Sequence, residues 1–264
     1  MKRDSLRCVQ ASNASLMTLG GTRTFLVGDA RPVVIDPGPD DPAHLDRVME
    51  VLGGRTPLCI LLTHRHADHA AGAGTLAART GAPIRAATAE GGAEPLADGD
   101  TIETDAGTIQ AIATPGHTPD HLAFLWEGPQ GRVIFTGDLV MGEGATALVA
   151  EPEGHVAAYL ASLERLRGLG ADRLYPTHGP AIENPAEALD RYRRHRESRI
   201  AQVRQVLSAH EACSAGDLLD EVYGADLHPK LAAHARGSIA AILTFLEGRG
   251  EIRIGRDGCY HPAS

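Results

Sequence analysis

The spacing of apolar positions changes several times along the chain, and each change marks an element. Between Cys8 and Ile35 the apolar residues come in short runs. Thr24-Phe25-Leu26-Val27 and Pro32-Val33-Val34-Ile35, separated by Gly28-Asp29-Ala30, predict two strands joined by a turn. Ahead of them, Gly20-Gly21 predicts either a loop whose backbone approaches something closely or an ordinary hairpin turn. Asp41-Pro42 reads as an N-cap with proline at the first helical position. Leu45, Val48, Met49 and Leu52 then recur at helical spacing until Gly53-Gly54 stops the helix. Leu58-Cys59-Ile60-Leu61-Leu62 is apolar throughout and predicts a buried strand, with Cys59 packed inside it.

A small-residue helix is expected to open at Ala70-Ala71-Gly72 and run to Thr80, with Gly81 past its end. Short strands are expected at 83–86, 108–112, 122–126 and 132–135, with a turn at Asp98-Gly99-Asp100. Val156, Tyr159, Leu160, Leu163 and Leu166 mark a helix ending at Gly168, and Arg173-Leu174-Tyr175 a further strand. The order is strands, helix, strand, helix, more strands, helix, strand. It fits an α+β two-sheet sandwich with helices outside rather than a regular βαβ repeat.

The pattern changes near residue 184, which places one unit at 1–183 and a second at 184–264. Asn184-Pro185-Ala186-Glu187 has the form of an N-cap with an acidic third residue. The helix beyond carries Leu189, Tyr192, Ile200, Val203 and Leu207 on one stripe and Arg191, Arg193, Arg194, Arg196, Arg199 and Arg204 elsewhere. Ser214-Ala215-Gly216-Asp217 is a capping box opening a short helix to Tyr223, and Pro229 opens a third helix through Leu246. Residues 251–260 read as a hairpin turning at Gly255-Arg256-Asp257-Gly258. Three helices and a hairpin give the element order of a winged helix.

Thr63-His64-Arg65-His66-Ala67-Asp68-His69 breaks the apolar pattern most sharply. Three imidazoles and a carboxylate fall within six residues, directly after a buried strand. Neutral imidazole and carboxylate suit zinc, iron or manganese. His117, Asp138 and His178 each follow a predicted strand as well, and loops at one edge of a sandwich can meet in space. The set sorts into His64, His66 and His117 for one ion and Asp68, His69 and His178 for a second, with Asp138 able to bridge both. Asp36, just after a strand, is expected to orient a ligand His from behind or to cap its turn. His121 is expected either to protonate a leaving group or to bond within its loop. His44, His155, His195, His210, His228, His234 and His261 have no partner motif and are expected to be solvated or capping.

Composition narrows the picture. In 264 residues, 43% are hydrophobic and only 4% aromatic, so the core must rest on Leu, Val, Ile and Ala. A net charge of -9 gives no general affinity for nucleic acid or anionic membrane. Cys8, Cys59, Cys213 and Cys259 are scattered and read as separate thiols in a reducing compartment. Residues 1–7 lack the apolar core of a secretory signal and no run is long enough to span a membrane, so a cytoplasmic location is expected.

The motifs resemble the metallo-beta-lactamase superfamily. Its H-x-H-x-D-H signature is met by His64, His66, Asp68 and His69, and its later motifs by Thr114-Pro115-Gly116-His117-Thr118, Phe135-Thr136-Gly137-Asp138 and Pro176-Thr177-His178-Gly179-Pro180. The resemblance implies an αββα sandwich with a dinuclear site between the sheet edges. It implies a hydrolase with two divalent ions, zinc expected and iron or manganese as alternatives. Such ions lower the pKa of a shared water so that hydroxide attacks a carbonyl or phosphoryl centre, with Asp68 orienting it or shuttling a proton.

Met17-Thr18-Leu19-x-Gly21-Thr22-x-Thr24, Gly137-Asp138-x-x-x-Gly142-Glu143-Gly144 and His195-Arg196 also resemble the beta-lactamase-like branch with a C-terminal winged helix. That branch includes an endoribonuclease acting on single-stranded RNA. It implies Thr22, Thr24, Arg194 and Arg196 as substrate contacts and leans to RNA cleavage. A thioester, ester or lactone hydrolase is the alternative; a weak beta-lactamase and a nucleic-acid-binding regulator rank lower. The expected partner is therefore a small ester or thioester, or single-stranded RNA, with an oligomer left open. The arginine-rich helix is either a solvated face or a phosphate-binding track.

Overall fold

A computed structural model describes residues 5–142, 146–224, 227, 229–255 and 258–263. The first sheet runs in order β1 (Leu6–Gln10), β2 (Arg23–Val27), β3 (Val33–Ile35), β4 (Ile60–Leu61), β5 (Ile84–Ala86) and β6 (Glu94–Pro95). Its pairings are antiparallel from β1 to β3 and parallel from β3 to β6. The second sheet has five strands: β7 (Thr101–Thr104), β8 (Gly107–Ala113), β9 (Leu122–Gly128), β10 (Gly131–Gly137) and β11 (Arg173–Pro176). They lie in the order β11-β10-β9-β8-β7, antiparallel except at β10/β11.

Strand residues alternate between two buried layers, which is why these strands show no polar alternation in the sequence. In β2 and β3, Phe25, Ile35 and Leu61 of the adjoining β4 point into the layer between the sheets. Leu26, Val34 and Ile60 point outward. In β9, Leu122, Phe124 and Trp126 point inward while Ala123 and Leu125 point outward. Trp126 is fully buried, and its Nε1 donates to Ala106 O at 3.0 Å.

The outer face of the first sheet is covered by α1 (Pro42–Leu52) through Leu45, Val48 and Leu52, and by α3 (Ala73–Thr80) through Leu76. Asp41 caps α1 as expected, its carboxylate accepting from Ala43 N–H. The helix expected from Ala70 starts earlier: α2 (Ala67–Ala70) carries Asp68 and His69 and is separated from α3 at Gly72. There the Gly72 N–H is taken by Gly38 O, where the chain crosses.

The outer face of the second sheet is covered by α4 (Val156–Gly168), and its apolar cluster continues without interruption into the C-terminal helices. Tyr159 and Leu163 of α4 join Leu189 and Val203 of α5 (Pro185–Ala209), Leu218 of α6 (Ala215–Tyr223) and Ile242 of α7 (Pro229–Gly248). The hairpin β12 (Ile252–Ile254) and β13 (Tyr260–Pro262) follows; Arg256 and Asp257 of its expected turn lie outside the described residues. The Ser214–Asp217 capping box forms. Asn184 does not cap α5 with its side chain; its Nδ2 donates to Glu187 Oε2 instead. The cysteines are free thiols. No helix among the described residues is long and apolar enough to cross a membrane.

Two glycines fix how loops approach. Gly21 has φ +113°, and a Cβ there would overlap Ala11 O, so the Gly20-Gly21 loop is the close-approach kind. Gly116 has φ +143° and lies against the backbone of Tyr159 in α4. Gly116→Ala is expected to lower stability by about 2 kcal/mol or more, through backbone strain plus overlap with a helix backbone that cannot yield. Thermal and urea unfolding monitored by circular dichroism measures it; an unchanged midpoint would show that this loop can shift freely against α4.

Candidate metal centre

The loops that carry the ligand-type residues meet at one edge of the sandwich. His64 and His66 follow β4, Asp68 and His69 sit on α2, His117 lies between β8 and β9, Asp138 follows β10, and His178 follows β11. Their donor atoms converge in three overlapping groups: His64, His66 and His117; Asp68, His69 and His178; and His64, His69 and Asp138. His66 Nδ1 lies 2.9 Å from His64 Nε2 and 3.0 Å from His117 Nε2. His178 Nε2 lies 3.2 Å from His69 Nε2 and 3.1 Å from Asp68 Oδ2. Asp138 stands between the groups. Its Oδ1 is 3.3 Å from both His69 Nε2 and His178 Nε2, and its Oδ2 is 3.8 Å from His117 Nε2.

The tautomers follow from partners that can only accept. His117 Nδ1 donates to Leu148 O at 2.7 Å, so its Nε2 presents a lone pair. His66 Nε2 donates to Glu153 Oε2 at 3.1 Å, which in the neutral ring leaves a lone pair on its Nδ1. Two lone pairs 3.0 Å apart repel unless a cation lies between them. Asp138 Oδ1 and His178 Nδ1 are buried with no hydrogen-bond partner among the described residues. The donor set of imidazole and carboxylate, without sulfur, suits a dinuclear metal centre.

Charge distribution supports this. Burial disfavours the ionised form of Asp138, but His69, His178 and His117 outweigh it and hold the carboxyl well below the usual range. Burial likewise opposes a charged His69, but Asp138 and Asp36 hold it well above the ordinary imidazole value. Burial pushes His64 well down, and neighbouring imidazoles add to the effect. The result is ionised carboxylates beside imidazoles, several of them held neutral.

Asp36 sits behind this array, fully buried. Its Oδ1 accepts from Thr63 N–H at 2.8 Å. Its Oδ2 accepts from Thr63 Oγ1 at 2.8 Å, Thr177 Oγ1 at 3.0 Å and His69 Nδ1 at 2.8 Å. It therefore turns the Nε2 edge of the His69 ring into the site.

Several expected roles change. His121 is buried, with Nδ1 bonded to Thr114 Oγ1 at 2.8 Å and Nε2 accepting from Asp138 N–H at 3.2 Å. Both nitrogens are engaged within the fold, the arrangement expected for the loop-bonding alternative, and Nε2 holds the Asp138 backbone. Thr22 and Thr24, expected as substrate contacts, are both fully buried. Thr22 Oγ1 accepts from Asn13 and its backbone bridges His178, while Thr24 Oγ1 bonds His44 Nε2 at 2.9 Å. His44 is thus a buried bracing residue, neither solvated nor capping. His155 caps α4 as expected, accepting from Ala158 N–H. His228, Glu143 and Gly144 lie outside the described residues.

The arginines of α5 form no continuous track. Arg194 is exposed, but Arg196 is buried and donates to Ala147 O at 3.1 Å. Arg193 pairs with Glu197, Arg204 with Glu251, and Arg199 donates to Val222 O. Glu153 carried no signal in the sequence because it lies 87 residues from His66; it also binds Arg65. Thr63 and Thr177 had one available signal, since each immediately precedes a ligand-type histidine.

Residues 17–178 match the family model described as the metallo-beta-lactamase superfamily. The Caenorhabditis elegans "Beta-lactamase-like protein 2 homolog" is 32% identical over 233 residues, covering 83% of this chain and 77% of that protein. The Emericella nidulans "Thioesterase pkgB" is 36% identical over 206 residues, covering 76% of this chain and 58% of that protein. A solved beta-lactamase domain protein from Burkholderia ambifaria shares the fold, with TM-score 0.84 over 99% of this chain and 93% of that one at 21% identity.

Asp36→Asn keeps the side-chain shape but removes the acceptor oxygen that three donors share. Metal affinity is expected to fall about 10- to 100-fold, as for other lost partners of a ligating histidine. Competition with a chromophoric chelator measures it, with circular dichroism confirming the fold; unchanged affinity would show that His69 needs no such anchor.

Proposed function

This chain belongs to the metallo-beta-lactamase superfamily, and from that premise we propose that it is a dinuclear metal-dependent hydrolase of acyl thioesters or esters, with zinc as the resident ion. The observation that carries the reading is the two ligand groups sharing Asp138 at the mouth of the sandwich. The thioesterase name of one relative supports the acyl class. With Arg193 and Arg204 in ion pairs and Arg196 buried, α5 presents no continuous exposed arginine track, which weighs against an RNA backbone as substrate. We also read 184–264 as a winged-helix-like unit that walls the cleft and shares one apolar cluster with α4, in line with three helices followed by a hairpin.

His64, His66 and His117 would hold one ion, and Asp68, His69 and His178 the other, with one oxygen of Asp138 toward each. When bound, divalent ions supply Lewis acidity toward a carbonyl and acidify water. The protein's own groups do the rest. Leu148 O and Glu153 fix the ring orientations of His117 and His66, and Asp36 fixes His69. His121 holds the Asp138 backbone in place. Asp68 is partly exposed, unlike the buried Asp36, and is the carboxylate placed to take a proton from an attacking water and return it to the leaving thiol or alcohol.

Elemental analysis of the purified protein is expected to give about two metal equivalents per chain. On a panel of thioesters, esters, lactones, a β-lactam and single-stranded RNA, acyl substrates should be turned over fastest and chelation should abolish turnover. Asp138→Asn should reduce kcat by about 100-fold or more, as expected for loss of a shared ligand. Metal-independent turnover, or cleavage of RNA with inert thioesters, would overturn the reading.

A further inference from the structure

Beside the metal cleft lies a second cavity of about 410 Å³, walled by α5 and α7 on one side and by the segments around Met17 and Leu148 on the other. Its lining is mostly apolar but also includes His195, Arg196, Arg199 and His234. Among the described lining residues there is no Asp or Glu. The neighbouring cavity, about 330 Å³, is lined by His66 and His117 of the metal centre and by Glu153. The two cavities share Leu148 and His234 in their linings and so lie next to each other.

Arg196 is the unusual member. It is 4% exposed, yet no carboxylate pairs with it among the described residues. Its Nη2 donates to Ala147 O, its guanidinium stacks over the Tyr159 ring at 5.6 Å, and its Nε is buried with no hydrogen-bond partner. His234 Nδ1 is buried without a partner as well. A guanidinium held rigid by stacking, desolvated and short of acceptors is costly in the free protein and is suited to a carboxylate or phosphate. Arg199, stacked over Tyr223 at 4.7 Å and bonded to Val222 O, adds a second positive charge without adding a carboxylate. A fully apolar substrate would leave these donors unanswered, and such mismatches are strongly discriminated against.

We propose that this cavity is an anion-binding subsite in which Arg196, with Arg199, grips an anionic group at the far end of the substrate while the apolar walls hold the chain leading to the metal centre. Resting on the acyl-hydrolase reading above, it narrows the substrates to thioesters or esters that carry a carboxylate on the acyl chain or a phosphate on the leaving thiol.

Two matched pairs separate these sources. The first compares an adipyl with a hexanoyl thioester of the same uncharged thiol. The second compares hexanoyl thioesters of phosphopantetheine and of pantetheine. In one pair the anionic member should be favoured by about 10- to 100-fold in kcat/KM, chiefly through KM. Arg196→Met should bring that ratio toward one, and Arg196→Lys should keep part of it. Should Arg196→Met fail to fold, Arg199→Gln serves as the second variant and should lower the same ratio. Calorimetric titration of adipate and of phosphopantetheine into the metal-loaded protein tests the subsite without turnover, and binding should weaken in the same variants. Anion binding that depends on Arg196 in a protein inert to all thioesters would keep the subsite and sink the acyl reading. Ratios near one in both pairs, or anion binding unchanged in the Arg196 and Arg199 variants, would overturn the subsite itself.

Discussion

The carboxylate of Asp36 is the constraint on which the site depends. Four hydrogen bonds converge on its two oxygens, from the ends of β4 and β11 and from α2. With Asp36 itself they tie together three pieces of chain that are distant in sequence, at residues 36, 63–69 and 177, the last two carrying or leading into His64, His69 and His178. Asp36 itself has φ +48°, a left-handed conformation unusual for a residue with a side chain. That strain of about 1–3 kcal/mol persists because four buried donors would otherwise be orphaned, each at comparable cost. Replacing both sides by apolar groups would satisfy the core but lose the register of the loops.

The rest of the sandwich makes that convergence possible. Both faces of each central strand are buried, so polar chemistry is confined to strand ends. The parallel run β3-β4-β5 and the parallel pair β10/β11 send their carboxyl ends to one edge. Across that edge the segment after Asp138 is locked twice. Met141 exchanges two hydrogen bonds with the Tyr192 hydroxyl of α5, and Gly142 N–H donates to His178 O. The C-terminal helices therefore share in holding the ligand array.

The legible part of the sequence was whatever the chain places locally. His64, His66, Asp68 and His69 lie within one turn of chain, and His117, Asp138 and His178 each follow a recognisable strand. Helix ends with strong local signals, such as Asp41 and Ser214, were legible for the same reason. What escaped depends on tertiary contact. Glu153 and the Leu148 carbonyl reach the histidines only because the 146–155 segment folds over the edge. Thr22 and Thr24 look like hydroxyls available to a substrate, yet packing turns both inward. Arg196 belongs to an arginine-rich stretch that reads as one solvated face, but a helix has several faces, and position 196 falls on the buried stripe with Tyr192 and Ile200.

Leu148 joins the two halves of the functional argument. Its carbonyl fixes the tautomer of His117, and its side chain walls both the metal cleft and the neighbouring cavity. The adjacent Ala147 carbonyl receives the Arg196 guanidinium. One short segment therefore carries acceptors for a ligand histidine and for a buried cation two residue types apart in chemistry but one residue apart in sequence. A chain lodged against this segment bears on the orientation of His117 as well as on its own position. On the proposed reading, substrate fit and the orientation of His117 would both rest on this same short stretch of backbone.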